Sequence, residues 1–222
     1  MSKGTPYGIP HGSSYPYVIF VPATDANPVT TLALQMKTKA SASILQQIAR
    51  TGITYEDAAR IFVTLIALHE LGHVYTEASR VKPGNKWLNE FLATYHAYAF
   101  LSANHPRLAE LWRAMNEVYS TGVTPTHRSL EDFERLYIRV GIENYGWYQG
   151  RFQEIAAAVY DAKKLTFLQD VRAGFPRLKE GEDPIDSLVK DPAPIATTLA
   201  RLEEISPGFI AWSERLKDRT TK

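Results

Sequence analysis

The strongest hydrophobic pattern in the chain covers residues 54–78, where apolar side chains occupy nearly the whole circumference of a helix and no proline interrupts them. Thr54 and Asp57 have the form of a capping box, in which a hydroxyl and a carboxylate satisfy backbone amides of the first helical turn. A helix that is apolar on all sides is normally buried. The pattern therefore predicts a long helix at the centre of a domain.

Most of the remaining chain is also predicted to be helical. Residues 15–21 are rich in aromatic and β-branched side chains, which favours a strand, and residues 30–36 allow a second one. A helix over 42–50 follows, stopped by Gly52. Further helices are predicted to begin near Lys86, Pro106, Ser129, Glu143 and Leu165 and at the Asp-Pro pairs 183–184 and 191–192, the last reaching about Leu216. This order predicts a mainly α protein (α+β) with a small N-terminal strand element.

Composition and charge fit one soluble globular domain spanning residues 1–222, because 45% of the residues are hydrophobic and 22% are charged. Residues 1–14 are rich in Gly, Pro and Ser and are expected to form a flexible arm. The formal net charge of +1 predicts neither a nucleic acid nor a membrane as partner. No signal-peptide pattern is visible, and the longest apolar stretch, at 61–68, is too short to span a bilayer, so a cytoplasmic protein is expected.

The motif His-Glu-Leu-Gly-His occupies residues 69–73, within the predicted central helix. Residues four apart on a helix differ by only about 40° around its axis, so the imidazoles of His69 and His73 leave the same face and can bind one metal ion. Glu70 is offset by one residue, which places its carboxylate beside the metal, where it can accept a proton from a water that zinc activates. The alternative, a buried polar cluster without a metal, would leave three polar groups uncompensated. The motif therefore predicts a zinc site with Glu70 as general base.

A catalytic zinc usually takes three protein ligands, and Glu90 is the best third ligand. It lies 17 positions after His73, on the helix that follows the predicted turn at 83–85. The rival third ligands are His96 on the same helix and Glu77 on the first helix. The chain has no cysteine, so a thiolate ligand is excluded.

The motif together with Trp-Leu-Asn-Glu at 87–90 resembles the gluzincin clan of zinc peptidases, which includes thermolysin and the large zinc aminopeptidases. The resemblance covers about residues 54–104 and implies a zincin-like helical domain. It also implies that His69, His73 and Glu90 match the zinc ligands. Glu70 matches the general base. Asn89 matches the asparagine that precedes the glutamate ligand. The chain departs from thermolysin-like enzymes at Thr94, where they carry an aspartate that orients a ligand histidine. It also lacks the Gly-x-Met-x-Asn motif of the aminopeptidases, so aminopeptidase activity is not implied.

A hydrolytic zinc site normally needs a further hydrogen-bond donor that stabilises the developing oxyanion. The segment 143–152 is dense in polar aromatic residues, and Tyr145 and Tyr148 lie one helical turn apart on it, so they are the predicted donors. The alternative is that both rings simply pack into the core. Arg151 and His127 are further polar candidates, and each could equally be an ordinary surface residue.

These observations predict a zinc-dependent metallohydrolase, most simply a peptidase that acts on a peptide or protein substrate. The alternative is a zincin-like protein that binds the metal without hydrolysing peptides and acts as a partner-binding or regulatory module. It is motivated by the short chain, which leaves little sequence for a large substrate cleft, and by Thr94. A purely structural zinc is a third interpretation, although structural zinc sites are usually four-coordinate and rich in cysteine.

Overall fold

The computed structural model describes residues 7–9, 18–22, 24, 26–182, 188–190 and 192–218. Within these residues the protein is mainly helical, as the hydrophobic pattern predicts. The described strands are β1 (Tyr7–Ile9) and β2 (Val18–Phe20). The α-helices whose two ends are described are α1 (Pro28–Met36), α2 (Ala42–Arg50), α3 (Tyr55–Ala78), α4 (Lys86–Asn104), α5 (Pro106–Gly122), α6 (Leu130–Leu136), α7 (Ile142–Lys163), α8 (Thr166–Gly174), α9 (Ile195–Ile205) and α10 (Phe209–Lys217). Short 3-10 segments follow α1 at Lys37–Lys39 and α6 at Tyr137–Val140.

The strands β1 and β2 form an antiparallel pair that packs against α3, in the register that places Tyr7 opposite Phe20. The strand predicted at 15–21 is therefore confirmed at its centre. Of the predicted arm at 1–14, only the residues of β1 are described, and the rest lies outside the described residues.

Most of the predicted helices are confirmed, with ends that shift by a few residues. At the start of α6, the Ser129 hydroxyl oxygen accepts the backbone N–H of Asp132 at 3.0 Å, as its sequence predicts. This helix nevertheless ends at Leu136, and a 3-10 segment continues it to Val140. The helix start predicted at 183–184 lies outside the described residues.

The strand expected at 30–36 is wrong, because this segment belongs to helix α1. Asn27 is the N-cap: its side-chain oxygen accepts the backbone N–H of Thr30 at 2.9 Å, and a proline occupies the first helical turn. Ala33 and Met36 are buried on the inner face of the helix. The local cap and the buried face together override the weaker β preference of the threonines in this segment.

Helix α3 begins as predicted, with Thr54 as its N-cap. The Thr54 hydroxyl oxygen accepts the backbone N–H of Asp57 at 3.1 Å. The Asp57 carboxylate does not complete the capping box, and instead accepts from the Thr54 hydroxyl at 2.7 Å and from Arg60 at 2.9 Å. The helix is also less enclosed than its pattern predicts, because Arg60, Thr64 and Tyr75 are exposed. Its buried face packs against α4.

Helix α4 is fixed at its start by residues from two distant segments. Asn85 is the N-cap by position, but its side chain bonds elsewhere: it donates to the Ala193 carbonyl at 2.7 Å and accepts from the Thr198 hydroxyl. The backbone N–H of Trp87 in the first turn is satisfied by the Glu134 carboxylate at 2.8 Å. These contacts hold the beginning of α4 in place relative to α6 and α9.

Helix α7 packs against both α4 and α5 and completes the interior. Gly150 permits the contact with α5, because a Cβ atom at this position would lie 2.4 Å from the carbonyl oxygen of Asn116. Trp87, Trp147 and Trp212 are fully buried in one hydrophobic core. In the described part of the chain, no helix combines the length and the apolar character needed to cross a membrane.

Candidate metal centre

Three of the predicted ligands converge where α3 packs against α4. Nε2 of His69 lies 3.1 Å from Oε2 of Glu90, and Nε2 of His73 lies 3.8 Å from Oε1 of the same carboxylate. One ligand atom from each residue lies within 4.8 Å of the others. Zn–N and Zn–O bonds of about 2.1 Å in a tetrahedral site separate neighbouring ligand atoms by about 3.4 Å. The observed spacing suits a single ion, and this group could hold a metal.

The three side chains lie inside the protein. The exposed fraction is 2% for Glu90, 8% for His69 and 14% for His73. A buried carboxylate beside two buried imidazoles is costly unless each group is compensated. A divalent cation would compensate all three, because both imidazole lone pairs and the carboxylate charge face the same point. The donor set therefore fits a metal ion.

Three further side chains donate hydrogen bonds to Glu90. The hydroxyl of Tyr137 donates to Oε1 at 2.6 Å, the hydroxyl of Tyr145 donates to Oε2 at 2.9 Å, and Nε2 of Gln149 donates to Oε2 at 2.8 Å. Hydrogen bonds to a carboxylate are stronger than neutral ones and favour its ionised form. Glu90 is thus held in one orientation by residues of α7 and of the 3-10 segment that precedes it.

The second ring nitrogen of His69 contacts Thr94. Nδ1 of His69 lies 3.1 Å from the Thr94 hydroxyl oxygen, and this hydroxyl donates to Oε1 of Gln149 at 3.3 Å. Thr94 is the position at which the sequence departs from thermolysin-like enzymes. Its hydroxyl contacts His69, one of the three candidate metal ligands, and it brings no negative charge.

Burial and the interactions among these three side chains shift their pKa values in opposite directions. Burial would raise the pKa of Glu90, but the positive charges that His73 and His69 carry at acidic pH outweigh it and hold this pKa well below its usual range. Burial would lower the pKa of His69, but its hydrogen bond to Glu90 raises the pKa above the usual value. At His73 burial dominates and lowers the pKa to about 4, although Glu90 acts in the opposite direction. His73 is therefore neutral near pH 7, with a lone pair available for a metal.

Glu70 lies beside the three ligands and does not belong to their group. Burial is the main reason that the pKa values of Tyr137 and Tyr145 are raised, and the negative charge of Glu70 adds to the shift at both. Its carboxylate is therefore within electrostatic reach of the site. The side chain is partly exposed. The motif predicts a general base at this position, and that role stays a prediction.

The two tyrosines predicted as oxyanion donors have different locations. Tyr145 reaches the site, where its hydroxyl is bonded to Glu90. Tyr148 does not: it is fully buried, its hydroxyl donates to the Ser129 carbonyl at 2.8 Å, and its ring packs against Phe133. The prediction of Tyr148 as a site residue is corrected. A residue three positions after Tyr145 is rotated by about 60° in one direction around the helix axis, whereas a residue four positions after it is rotated by about 40° in the other. The residue four positions after it, Gln149, faces the site instead.

The rival ligands and donors lie outside the group. His96 stacks on Tyr75 with ring centroids 5.9 Å apart, and burial lowers its pKa to about 4. Glu77 is partly buried on α3 and is not among the converging ligands. His127 lies 3.8 Å from Asp132 and is not among the converging ligands. Arg151 pairs with Glu154 at 2.8 Å and lies over the ring of Trp147.

Tyr137 and Gln149 are site residues that the sequence pattern did not single out. Gln149 has a usable signal, since it lies one helical turn after Tyr145 on the same face. Tyr137 has none: it sits where α6 gives way to the 3-10 segment, with a φ of 50° that few non-glycine residues adopt. Such backbone strain persists only where surrounding contacts impose it. Here the hydrogen bond to Glu90 and the packing of the ring on Phe133 and Tyr145 are those contacts.

No protein-family model matches the sequence, and neither a curated protein nor a solved structure matches the chain at a significant level.

Proposed function

We propose that the protein is a zinc-dependent metallohydrolase, most simply a peptidase of the gluzincin type. The observation that carries this proposal is the convergence of His69, His73 and Glu90 from two adjoining helices, with Glu70 beside them and outside the ligand set. A purely structural polar cluster would not require a fourth ionisable side chain at this position.

Zinc is the metal that best suits the donor set. Two imidazoles and one carboxylate are the ligands of many catalytic zinc sites, and three protein ligands leave one coordination position open. Soft metals prefer thiolate ligands, and this chain has no cysteine to provide one. Hard cations such as calcium and magnesium prefer oxygen ligands and disfavour a site with two nitrogens.

A zinc ion, when bound, lowers the pKa of water to about 7 and polarises a carbonyl group. Glu70 would accept the proton of the attacking water and return it to the leaving amine. Because the motif offsets Glu70 by one residue from His69, its carboxylate would lie beside the metal and not among its ligands. His73 and Glu70 are both partly exposed, which marks the side from which water and substrate would enter.

Tyr145 is assigned a different role from the oxyanion donor expected from its sequence context. A tyrosine hydroxyl has one proton to donate, and that of Tyr145 is bonded to Glu90 at 2.9 Å. Burial raises the pKa of Tyr145 well above its usual value, so the hydroxyl keeps its proton at neutral pH. Tyr145 would therefore orient the carboxylate ligand, together with Tyr137.

The proposal is tested by measuring zinc content and peptide hydrolysis in the wild type and in Glu70→Gln. The wild type should bind one zinc per chain and hydrolyse members of a peptide library, and a chelator should abolish the activity. Glu70→Gln should keep the zinc and lose at least about 100-fold in turnover, the usual contribution of a general base. Glu56→Gln, an acidic residue near the start of the same helix, is the matched control and should leave activity unchanged. Full activity in Glu70→Gln would contradict the mechanism.

The second candidate is a metal-binding module without hydrolytic activity. One observation favours it: Thr94 replaces the aspartate that orients a ligand histidine in thermolysin-like enzymes, so His69 lacks the carboxylate partner that raises ligand basicity. Stoichiometric zinc in a wild type that digests no peptide in the library would support this candidate over the first.

A further inference from the structure

Four side chains around the candidate metal centre form a closed ring of hydrogen bonds. Nδ1 of His69 contacts the Thr94 hydroxyl at 3.1 Å, and this hydroxyl donates to Oε1 of Gln149 at 3.3 Å. Nε2 of Gln149 then donates to Oε2 of Glu90 at 2.8 Å, and the same oxygen lies 3.1 Å from Nε2 of His69. The ring joins one residue of α3, two of α4 and one of α7.

The position of each proton in this ring follows from the one group that can only accept. An ionised Glu90 has no proton to donate, so the amide nitrogen of Gln149 must face it and the amide oxygen must face Thr94. The single hydroxyl proton of Thr94 then points to Gln149. The Thr94 oxygen can then only accept a hydrogen bond from His69, so the donor of this bond is the N–H group at Nδ1 of His69. When the imidazole of His69 is neutral, its Nε2 must therefore carry the lone pair.

We propose that Gln149 is a positioning residue that selects the metal-binding tautomer of His69, acting through Thr94. Without the amide oxygen of Gln149, the Thr94 hydroxyl is free to rotate and donate its proton to Nδ1. The neutral imidazole would then carry its proton on Nε2, the atom that faces Glu90, and could not bind a metal there. The same amide also holds Oε2 of Glu90, so one side chain of α7 prepares ligands on both α3 and α4.

A neutral orienting residue is consistent with the charges at this site. A divalent ion together with ionised Glu90 and Glu70 sums to zero if both histidines are neutral. An aspartate at position 94 would add a buried negative charge that nothing else in the ring balances. A threonine whose proton is directed by a glutamine supplies the same orientation without that charge.

This inference rests on the metal binding in the proposed function and is independent of hydrolysis. It is tested by zinc affinity, measured against a competing chelator, in Gln149→Met, Thr94→Val, the double variant and Thr94→Ser. Gln149→Met and Thr94→Val keep the side-chain volume and should each weaken zinc binding about 10- to 100-fold, the usual effect of removing a partner of a ligand. Thr94→Ser restores the hydroxyl and should bind within about 3-fold of the wild type.

The double variant separates a positioning role from simple packing. If Gln149 acts through Thr94, adding Thr94→Val to Gln149→Met should cost little further affinity, whereas independent sites would give the product of the two losses. Gln153→Met is the matched control: Gln153 lies one turn further along α7, accepts from Trp112 at 2.6 Å and is outside the ring. Its zinc affinity should equal that of the wild type.

The results show separately whether the role of Gln149 fails and whether the proposed function fails. Wild-type affinity in Gln149→Met, or multiplicative losses in the double variant, would overturn the role of Gln149 and leave the metal site intact. If Gln149→Met fails to fold by circular dichroism, the contrast between Thr94→Val and Thr94→Ser carries the test. Equal affinities in that pair would overturn the inference. A wild type that binds no zinc would overturn the proposed function as well.

Discussion

Gly72 of α3 packs so closely against Ala93 of α4 that a Cβ atom at position 72 would lie 2.6 Å from the carbonyl oxygen of Ala93. The glycine of the His-Glu-Leu-Gly-His motif therefore has a structural role that neither histidine has. It lets the two helix backbones approach, and this approach brings Glu90 to the imidazoles.

We expect Gly72→Ala to weaken zinc binding at least about 10-fold and to destabilise the fold by about 1–3 kcal/mol, because the added methyl group must push against backbone. Zinc titration and urea denaturation measure the two effects. Gly174→Ala is the control, since a Cβ there would meet only a flexible end of Ile205 at 3.4 Å. Unchanged zinc affinity in Gly72→Ala would show that the helix contact does not position the ligands.

Tyr137→Phe tests whether the strained tyrosine serves the candidate site. The change removes the hydroxyl that donates to Oε1 of Glu90 at 2.6 Å and leaves the ring packing in place. We expect zinc affinity to fall about 10-fold, because the carboxylate loses one of the donors that orient it. Tyr148→Phe is the matched control: it removes a hydroxyl bonded to Ser129, so it should cost about 1 kcal/mol of stability and leave zinc binding unchanged. Equal zinc affinities in the two variants would contradict the assignment.

The parts of the site that follow helical periodicity could be predicted from the sequence. His69 and His73 share a face because they are four residues apart, and Glu70 is offset from that face by its position alone. Glu90 was identified by its resemblance to a known ligand pattern and by its distance from His73. These relationships depend on local geometry within one helix or on a short connection between two.

The parts that depend on tertiary contacts could not be predicted. Tyr137 reaches Glu90 only because its backbone adopts a φ of 50°, and no sequence pattern indicates such a conformation at a tyrosine. The sequence pattern indicated Tyr148 and not Gln149, because which of these neighbours faces Glu90 depends on how α7 is rotated against α4 and α5. The helix at 30–36 was missed because its stability comes from a cap and a buried face.

Glu203 on α9, whose carboxylate caps the start of α10, provides a test of how stability depends on pH. Its carboxylate accepts the backbone N–H groups of Ile210 and Gly208, each at 3.0 Å, and these bonds lower its pKa below the usual range. A carboxyl whose folded-state pKa is lowered stabilises the fold above its unfolded pKa of about 4.3. That stabilisation is lost as the pH falls through the folded-state value.

We therefore expect Glu203→Gln to lower stability by about 0.5–1 kcal/mol at pH 7, the usual contribution of a carboxylate at a helix N-terminus. The difference from the wild type should narrow as the pH falls below about 4.3 and close once the pH is below the lowered folded-state pKa. Urea denaturation followed by circular dichroism at pH 7 and pH 3 measures it, and Glu204→Gln, at an exposed neighbouring residue, is the control. A difference that stays constant between the two pH values would show that the charge of Glu203 is not responsible.

Treatment with a chelator distinguishes the proposed catalytic zinc from a structural one. The hydrophobic core extends over helices from α1 to α10, and most of it does not involve the three ligands, so the protein should stay folded when zinc is chelated. Zinc at 100 times its Kd stabilises the folded state by about 2.7 kcal/mol, which corresponds to a rise in Tm of about 5–10 °C for a chain of this size.

A chelator should lower the Tm by that amount, leave the helical circular dichroism signal intact at 25 °C, and act reversibly. His73→Ala should already have the lower Tm and should not respond to the chelator. Unfolding of the wild type on chelation at 25 °C would show instead that zinc is a structural element, and the open coordination position required for hydrolysis would lose its support.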